Sequence, residues 1–215
     1  MSQTPPLSAP TTPRRTRLTA EQRREVILDA ATEVFADVGY QHGKVSDIAR
    51  RIGVSEPVVF QNFGTKAALF SAVLERATHQ ITAQLRAAAD TGQSVPDLLA
   101  AWLAPEHIDR MHSRGSMGVL FADMLGPATA PEVHDAARTA VQQMIAGIAD
   151  LLRQGQRDGD IRPDLDPETG AWWLMSLLNS HHFRTAVMDD RTAIESGLTR
   201  LLLESLTRPA EVREP

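Results

Sequence analysis

The stretch from Asp47 to Lys66, DIARRIGVSEPVVFQNFGTK, constrains this chain more than any other. Ile48, Ala49 and Ile52 recur at helical spacing, Gly53 stands where a helix end needs positive φ, and Ser55 is placed to cap a second helix. That helix opens Ser55-Glu56-Pro57, with proline in the first turn, where its missing N–H costs no hydrogen bond. Two short helices joined by a tight turn make a helix-turn-helix, and the second is the size of rod that enters a DNA major groove. On that reading Glu56 accepts from a cytosine amino group and Val58 touches a thymine methyl. Gln61 reads adenine, and Asn62 holds a phosphate or a base edge. Lys66, opening the third helix of this run, steers to phosphate. The plain alternative is an ordinary polar surface helix, which leaves the fixed spacing on both sides unexplained.

That spacing extends upstream. Arg24, Ile27, Leu28, Ala30, Ala31, Phe35, Gly39 and Tyr40 fit the pattern R-x-x-IL-x-AA-x-x-x-F-x-x-x-GY. It continues through Ile48-Ala49, Gly53-Val54-Ser55, Phe60, Phe63 and Lys66 to Leu69. Over these residues, roughly a fifth of the chain, the sequence resembles the DNA-binding domain of the TetR family of bacterial transcription regulators. The resemblance implies a homodimer that binds DNA and responds to a small molecule. Two positions depart from the family pattern. Gly43-Lys44 stands where a threonine usually caps the second helix, exchanging a cap for a cation. Phe60 replaces the usual tyrosine, keeping a ring for sugar or thymine methyl and losing a hydroxyl for phosphate.

The net charge of −5 looks unsuited to DNA until it is divided along the chain. Residues 1–66 carry nine Arg/Lys against seven Asp/Glu, a balance of +2, which leaves −7 on the remainder. A basic end on an acidic body orients a molecule on phosphate. Met1–Arg17 is rich in proline, serine and threonine and reads as a disordered arm ending in Arg14, Arg15 and Arg17. Either it is a solvated tail or its arginines reach phosphates or the adjacent minor groove. The absence of cysteine excludes disulfides and thiolate metal sites, and no apolar run suits a signal peptide or membrane span, so a cytoplasmic protein is expected.

Abundant alanine and few aromatic residues favour an all-α fold. Thr19 and Gln22 form a capping box for a helix over about 20–38, with Val26, Ile27, Ala30, Ala31, Val34, Phe35 and Val38 on one face. Helices over about 45–52 and 56–62 come next. A clean apolar stripe predicts a long helix over 66–89, a mechanical link to the rest of the chain. Short helices over about 96–104, 105–112 and 115–125 bring Trp102, Met111, Met117, Leu120, Phe121 and Met124 together. With Met144 and Met175 they form an adaptable apolar lining, the candidate effector pocket; the plainer reading of each is core. Helices over about 131–156 and 167–187 leave no wholly polar side. With Ala140, Gly147, Leu151, Trp172, Trp173 and Leu177 they are expected to form a four-helix dimer seam. A last helix is expected over about 191–206.

Seven histidines lack metal-ligand spacing: His181 and His182 point about 100° apart on a helix, and His107 and His112 lie five apart. No GxSxG elbow, Walker loop or GxGxxG turn is present, so no catalytic residue, cofactor or metal is assigned. The expected organisation is an arm (1–18), an N-terminal three-helix helix-turn-helix domain (19–66), a larger ligand-binding and dimerisation domain (67–208) and a tail (209–215). The expected function is a repressor, bound as a dimer to a palindromic operator and released by a small apolar or amphipathic effector. The alternative is a helical small-molecule-binding or interaction protein whose DNA-reading module no longer works.

Overall fold

The computed structural model describes residues 18–113, 115, 120–121 and 130–207. The expected helix over 115–125 therefore lies mostly outside the described residues, as do Arg14, Arg15 and Arg17. Among the described residues the fold is all helical. Helix α1 (Ala20–His42) starts on the expected capping box: the Thr19 hydroxyl accepts from the Gln22 N–H at 3.1 Å, and the Gln22 side chain accepts from the Thr19 N–H at 3.0 Å. It bends at Gly39, whose φ of 74° only glycine adopts readily. Helices α2 (Val45–Arg51) and α3 (Glu56–Phe63) come next, with Gly53 at φ 69° making the turn between them.

These three helices share one apolar core. Ile27, Ala31 and Phe35 of α1 are wholly buried, one turn apart, with Ile48 and Ala49 of α2 and Val59 and Phe63 of α3 against them. Val26, expected on that face, is exposed, because the stripe is narrower than its sequence pattern. The Phe35 and Phe70 rings meet edge-on, 5.0 Å between centroids at 85°, and Tyr40 lies 4.8 Å from Phe70. Edge-to-face pairs of this kind add about 0.5–1.5 kcal/mol beyond the area they bury.

Helix α4 (Lys66–Ala89) supplies Phe70, and its sequence stripe explains its path. Leu69, Phe70, Val73, Leu74 and Ala77 belong to the core shared with α1–α3, whereas Leu85, two turns on, belongs to a second core. Helices α5 (Val95–Trp102) and α6 (Pro105–His112) are short, each opened by a proline in its first turn. Helix α7 (Pro131–Asp158) runs alongside α4 and ends at Gly159 in the left-handed region. The first core is not confined to α1–α4: Leu120, Val133 and Ala137 are wholly buried within it.

One expectation about the later helices needs correction. The helix expected over 167–187 is two, α8 (Pro167–Asn179) and α9 (His181–Val187). They meet at Ser180, whose hydroxyl donates to the Leu177 carbonyl and accepts from Arg184, while Arg184 also donates to that carbonyl at 3.1 Å. These side chains compete with the backbone ladder at that point, which is how Ser and a long cation interrupt a helix. Helix α10 (Thr192–Leu206) closes the chain.

The residues expected at the seam differ in burial. Ala140 and Leu151 of α7 are buried within the chain, and a Cβ on Gly147 would lie 3.4 Å from Thr82 of α4. Gly147 thus packs close to α4. Trp172 and Trp173 of α8, both expected at the seam, are exposed, as are Phe183 and Val187 of α9 and Ile194 and Leu201 of α10. Leu177 is half-buried on the second core.

Candidate nucleic-acid interface

Helix α3 turns one side into the core and the other to solvent. Val59 and Phe63 are buried, four residues apart, so the opposite side must face outward. Glu56, Pro57, Phe60 and Gln61 are exposed there, and Val58 is half-buried. Ser55 occupies the N-cap position with extended backbone but makes no capping hydrogen bond through its side chain, contrary to expectation. Lys44, at the N-cap of α2, is exposed and likewise caps nothing, as its chemistry requires. A ring, a carboxylate, an amide, a hydroxyl and an ammonium are therefore presented around one short helix.

Two expected contact residues make hydrogen bonds within the chain. The Asn62 side chain donates to the Val58 carbonyl at 2.7 Å, one turn back along α3. The Lys66 ammonium donates to the Gln41 carbonyl at 3.3 Å and sits 4.6 Å from the centroid of the Tyr40 ring. Burial holds its pKa below the usual lysine value. The Lys66 bond joins the start of α4 to the end of α1, the Asn62 bond lies within α3, and both residues stay partly exposed.

Sequence reasoning missed two arginines that set the module's geometry. Arg24 of α1 donates to the Asn62 carbonyl at 2.5 Å, and its guanidinium carbon lies 4.0 Å over the Phe63 ring. Arg76 of α4 donates to the Asp29 carboxylate at 2.7 Å, the Thr32 hydroxyl at 2.6 Å and the Leu28 carbonyl at 3.0 Å. Arg24 stood in the motif as a spacing marker, with nothing to show what it touches. Arg50 and Arg51 of α2 pair with Asp47 and Glu33 on the surface, and such exposed pairs contribute little to stability.

Most of the described candidate effector residues pack on one core or the other. Leu120 is wholly buried and Phe121 packs on the first core; Trp102 and Met175 pack on the second. Met144 is buried on α7 and Met111 half-buried on α6; Met117 and Met124 lie outside the described residues. Two open grooves indent the described surface, of about 390 Å³ beside Pro105, Thr199 and Leu203 and about 460 Å³ beside Arg24, Leu28, Arg76 and His79. None of the expected lining residues borders either groove. Among the described residues no group of three or more His, Asp or Glu could hold a metal, and no helix is long and apolar enough to cross a membrane.

Two family descriptions match the chain in order along its length. Bacterial regulatory proteins of the tetR family match residues 27–73, and the tetracyclin repressor-like C-terminal domain matches residues 127–201. The chain belongs to the TetR family. It is 32% identical over 136 residues to the HTH-type transcriptional activator FasR of Mycolicibacterium smegmatis, a match covering 63% of this chain and 61% of that protein. The chain therefore matches less than two thirds of that relative's length. It is 26% identical over 144 residues to the HTH-type transcriptional repressor KstR2 of the same species, over 67% of this chain and 70% of the relative. The transcriptional regulator FadR from Bacillus subtilis, solved in complex with stearoyl-CoA, shares the fold with a TM-score of 0.63 at 18% identity, over 85% of this chain and 98% of that one.

Proposed function

We propose that this TetR-family chain is a DNA-binding transcription regulator that reads its operator with the exposed side of α3 and responds to a small-molecule effector. The observation that carries the reading is the division of α3 itself: Val59 and Phe63 fix it to the core, leaving Pro57, Phe60 and Gln61 outward on a helix fit for the major groove. Glu56 and Gln61 would address base edges, Val58 and Phe60 apolar groups, and Ser55 and Lys44 phosphates. The +2 balance of residues 1–66 supports the same orientation.

The regulator is a homodimer in this reading. Trp172, Trp173, Phe183, Val187, Ile194 and Leu201 make a run of exposed apolar side chains on α8–α10, larger than isolated surface hydrophobes. A second copy covering that face by two-fold symmetry would complete a helical bundle and set two α3 helices on successive groove faces of a palindromic site.

The sign of regulation is repression relieved by an apolar or amphipathic effector. An effector shifts the equilibrium only if it binds the non-DNA conformation better. The effector half touches the reading half at defined places: the Gly115 N–H, just after α6, donates to the Ala36 carbonyl of α1 at 3.0 Å, and Leu120 and Val133 share the first core. The acyl-CoA held by the FadR regulator gives the first compounds to try.

Selection of duplexes from a random-sequence pool by the full chain tests the whole reading. Recovery of one inverted repeat is expected. An enriched set without two-fold symmetry would refute the dimeric reading, and no enrichment at all would favour the alternative of a helical binding protein that no longer reads DNA.

A further inference from the structure

Resting on the reading of α3 as the DNA-contacting helix, we infer that Arg24 and Arg76 are positioning residues that fix the angle of α3 and tie it, through α1, to α4. Each joins two helices of the module, and both do so on the same three turns of α1.

The geometry at α3 is specific. The last carbonyls of any helix have no partner within the helix, and α3, eight residues long, has few bonds of its own. Arg24 donates to one of these, the Asn62 carbonyl, at 2.5 Å, and lies over the Phe63 ring at 4.0 Å. A cation at a helix C-terminus is also on the favourable side of the helix dipole. Asn62 is held at the same time by its bond to the Val58 carbonyl. The end of α3 is thus clamped by a guanidinium rooted in α1, and its tilt depends on α1.

Arg76 makes the matching connection to α4. Its guanidinium meets Asp29, Thr32 and the Leu28 carbonyl, with Glu25 at 3.6 Å, so four groups on one face of α1 hold one side chain of α4. Side chains from α1 and α4, Arg24, Leu28 and Arg76 among them, line one groove between the helices. The Arg76 side chain is mostly buried, at 23% exposure, and Arg uses a planar fork that Lys lacks. A turn or shift of α4 therefore carries α1 with it, and α1 carries the end of α3.

A role in positioning predicts a different signature from a role in phosphate contact. Losing a phosphate contact weakens all DNA alike and lowers the salt slope by about 0.9 per contact. Losing a positioning clamp leaves that slope alone and lowers discrimination, because α3 no longer presents its side chains in register. The probes are a duplex recovered by the wild-type chain from a random-sequence pool and a shuffled duplex of equal composition, titrated by fluorescence anisotropy at two salt concentrations.

Arg24→Ala is expected to lower the ratio of selected to shuffled affinity by about tenfold, the worth of one charged hydrogen bond, with the salt slope unchanged. Arg24→Lys keeps the cation over Phe63 and is expected to recover part of the ratio. Arg76→Lys is expected to lower it severalfold, and the double variant Arg24→Ala/Arg76→Lys to be no worse than Arg24→Ala, since the two act in series. Thermal melting of each variant separates these effects from unfolding. A selected-to-shuffled ratio unchanged in Arg24→Ala, or a fall in salt slope, would overturn the inference. So would strictly multiplicative effects in the double variant. Failure of the wild-type chain itself to discriminate between the duplexes would instead strike the underlying reading of α3.

Discussion

The imidazole rings of His112 and His181 stack 4.5 Å apart at 31°, one on the last turn of α6 and the other at the start of α9. His181 Nδ1 lies 3.3 Å from Glu195 of α10, and its Nε2 lies 3.6 Å from Asp109 of α6 and 3.3 Å from the Thr185 hydroxyl. The His112 ring faces the Ile108 carbonyl at 2.8 Å. Arg191 pairs with Asp109, and Arg184 with Glu195. One small polar knot therefore ties α6 to both α9 and α10.

Burial holds both imidazoles below the ordinary value of 6.5, outweighing the carboxylates Glu195 and Asp109, which pull the other way. The folded state then binds fewer protons than the unfolded chain, so stability is intact above about pH 6.5 and falls as pH drops through that value. Each ring contributes a slope of at most about 1.4 kcal/mol per pH unit. The melting temperature of the wild-type chain should therefore fall from pH 7.5 to 5.5, and less so for His112→Phe, which keeps a ring without the charge. Equal falls in both proteins would show that this pair does not titrate on unfolding.

The same knot contains a buried ion pair. Both Glu195 oxygens accept from Arg184, at 2.8 and 2.9 Å, with each residue under a tenth exposed. Removing one partner strands the other charge, which costs about 3–5 kcal/mol. Glu195→Ala should lose that much in urea denaturation at fixed protomer concentration, and a loss below about 1 kcal/mol would mean that water reaches Arg184.

Gly43, at φ −65°, needs no special backbone conformation, yet a Cβ there would lie 2.5 Å from the Phe35 ring. The ring is itself packed edge-on against Phe70 and has nowhere to move. Gly43→Ala should cost about 1–3 kcal/mol by overpacking, measured by the same denaturation. A neutral or stabilising result would show that Phe35 can yield.

The exposed face on α8–α10 predicts its own result. Trp172→Glu and Trp173→Glu place charges where a partner must bury apolar surface, and each should shift the chain from dimer to monomer on a calibrated sizing column with light scattering. Leu151 is already covered within the protomer, so Leu151→Ala should cost stability without changing assembly. Dimers surviving both tryptophan changes would move the interface elsewhere.

Where local chemistry decides, the sequence was easy to read. The Thr19–Gln22 box, the turn at Gly53 and the stripe of α4 are all set by neighbours within four residues, and they lie where the pattern puts them. Ala140, Gly147 and Leu151 were less legible, because an apolar helix announces that it is buried, not against what. Arg24 with Asn62 and Arg184 with Glu195 were invisible for a related reason: 38 and 11 residues separate the partners, and only the packed helices bring them together. Asn62 and Lys66, polar and suitably spaced for DNA, also bond within the chain, to the Val58 and Gln41 carbonyls.

The central claim is that the outward side of α3 reads base sequence, and one titration tests it most directly. Fluorescence anisotropy of the wild-type chain and of Phe60→Ala is measured against the selected duplex and its shuffled counterpart. Affinity for the selected duplex about a thousandfold or more above the shuffled one, and reduced about tenfold or more in Phe60→Ala, is the predicted result. Equal affinity of the wild-type chain for both duplexes, or a Phe60→Ala variant that binds and discriminates as the wild type does, would contradict it.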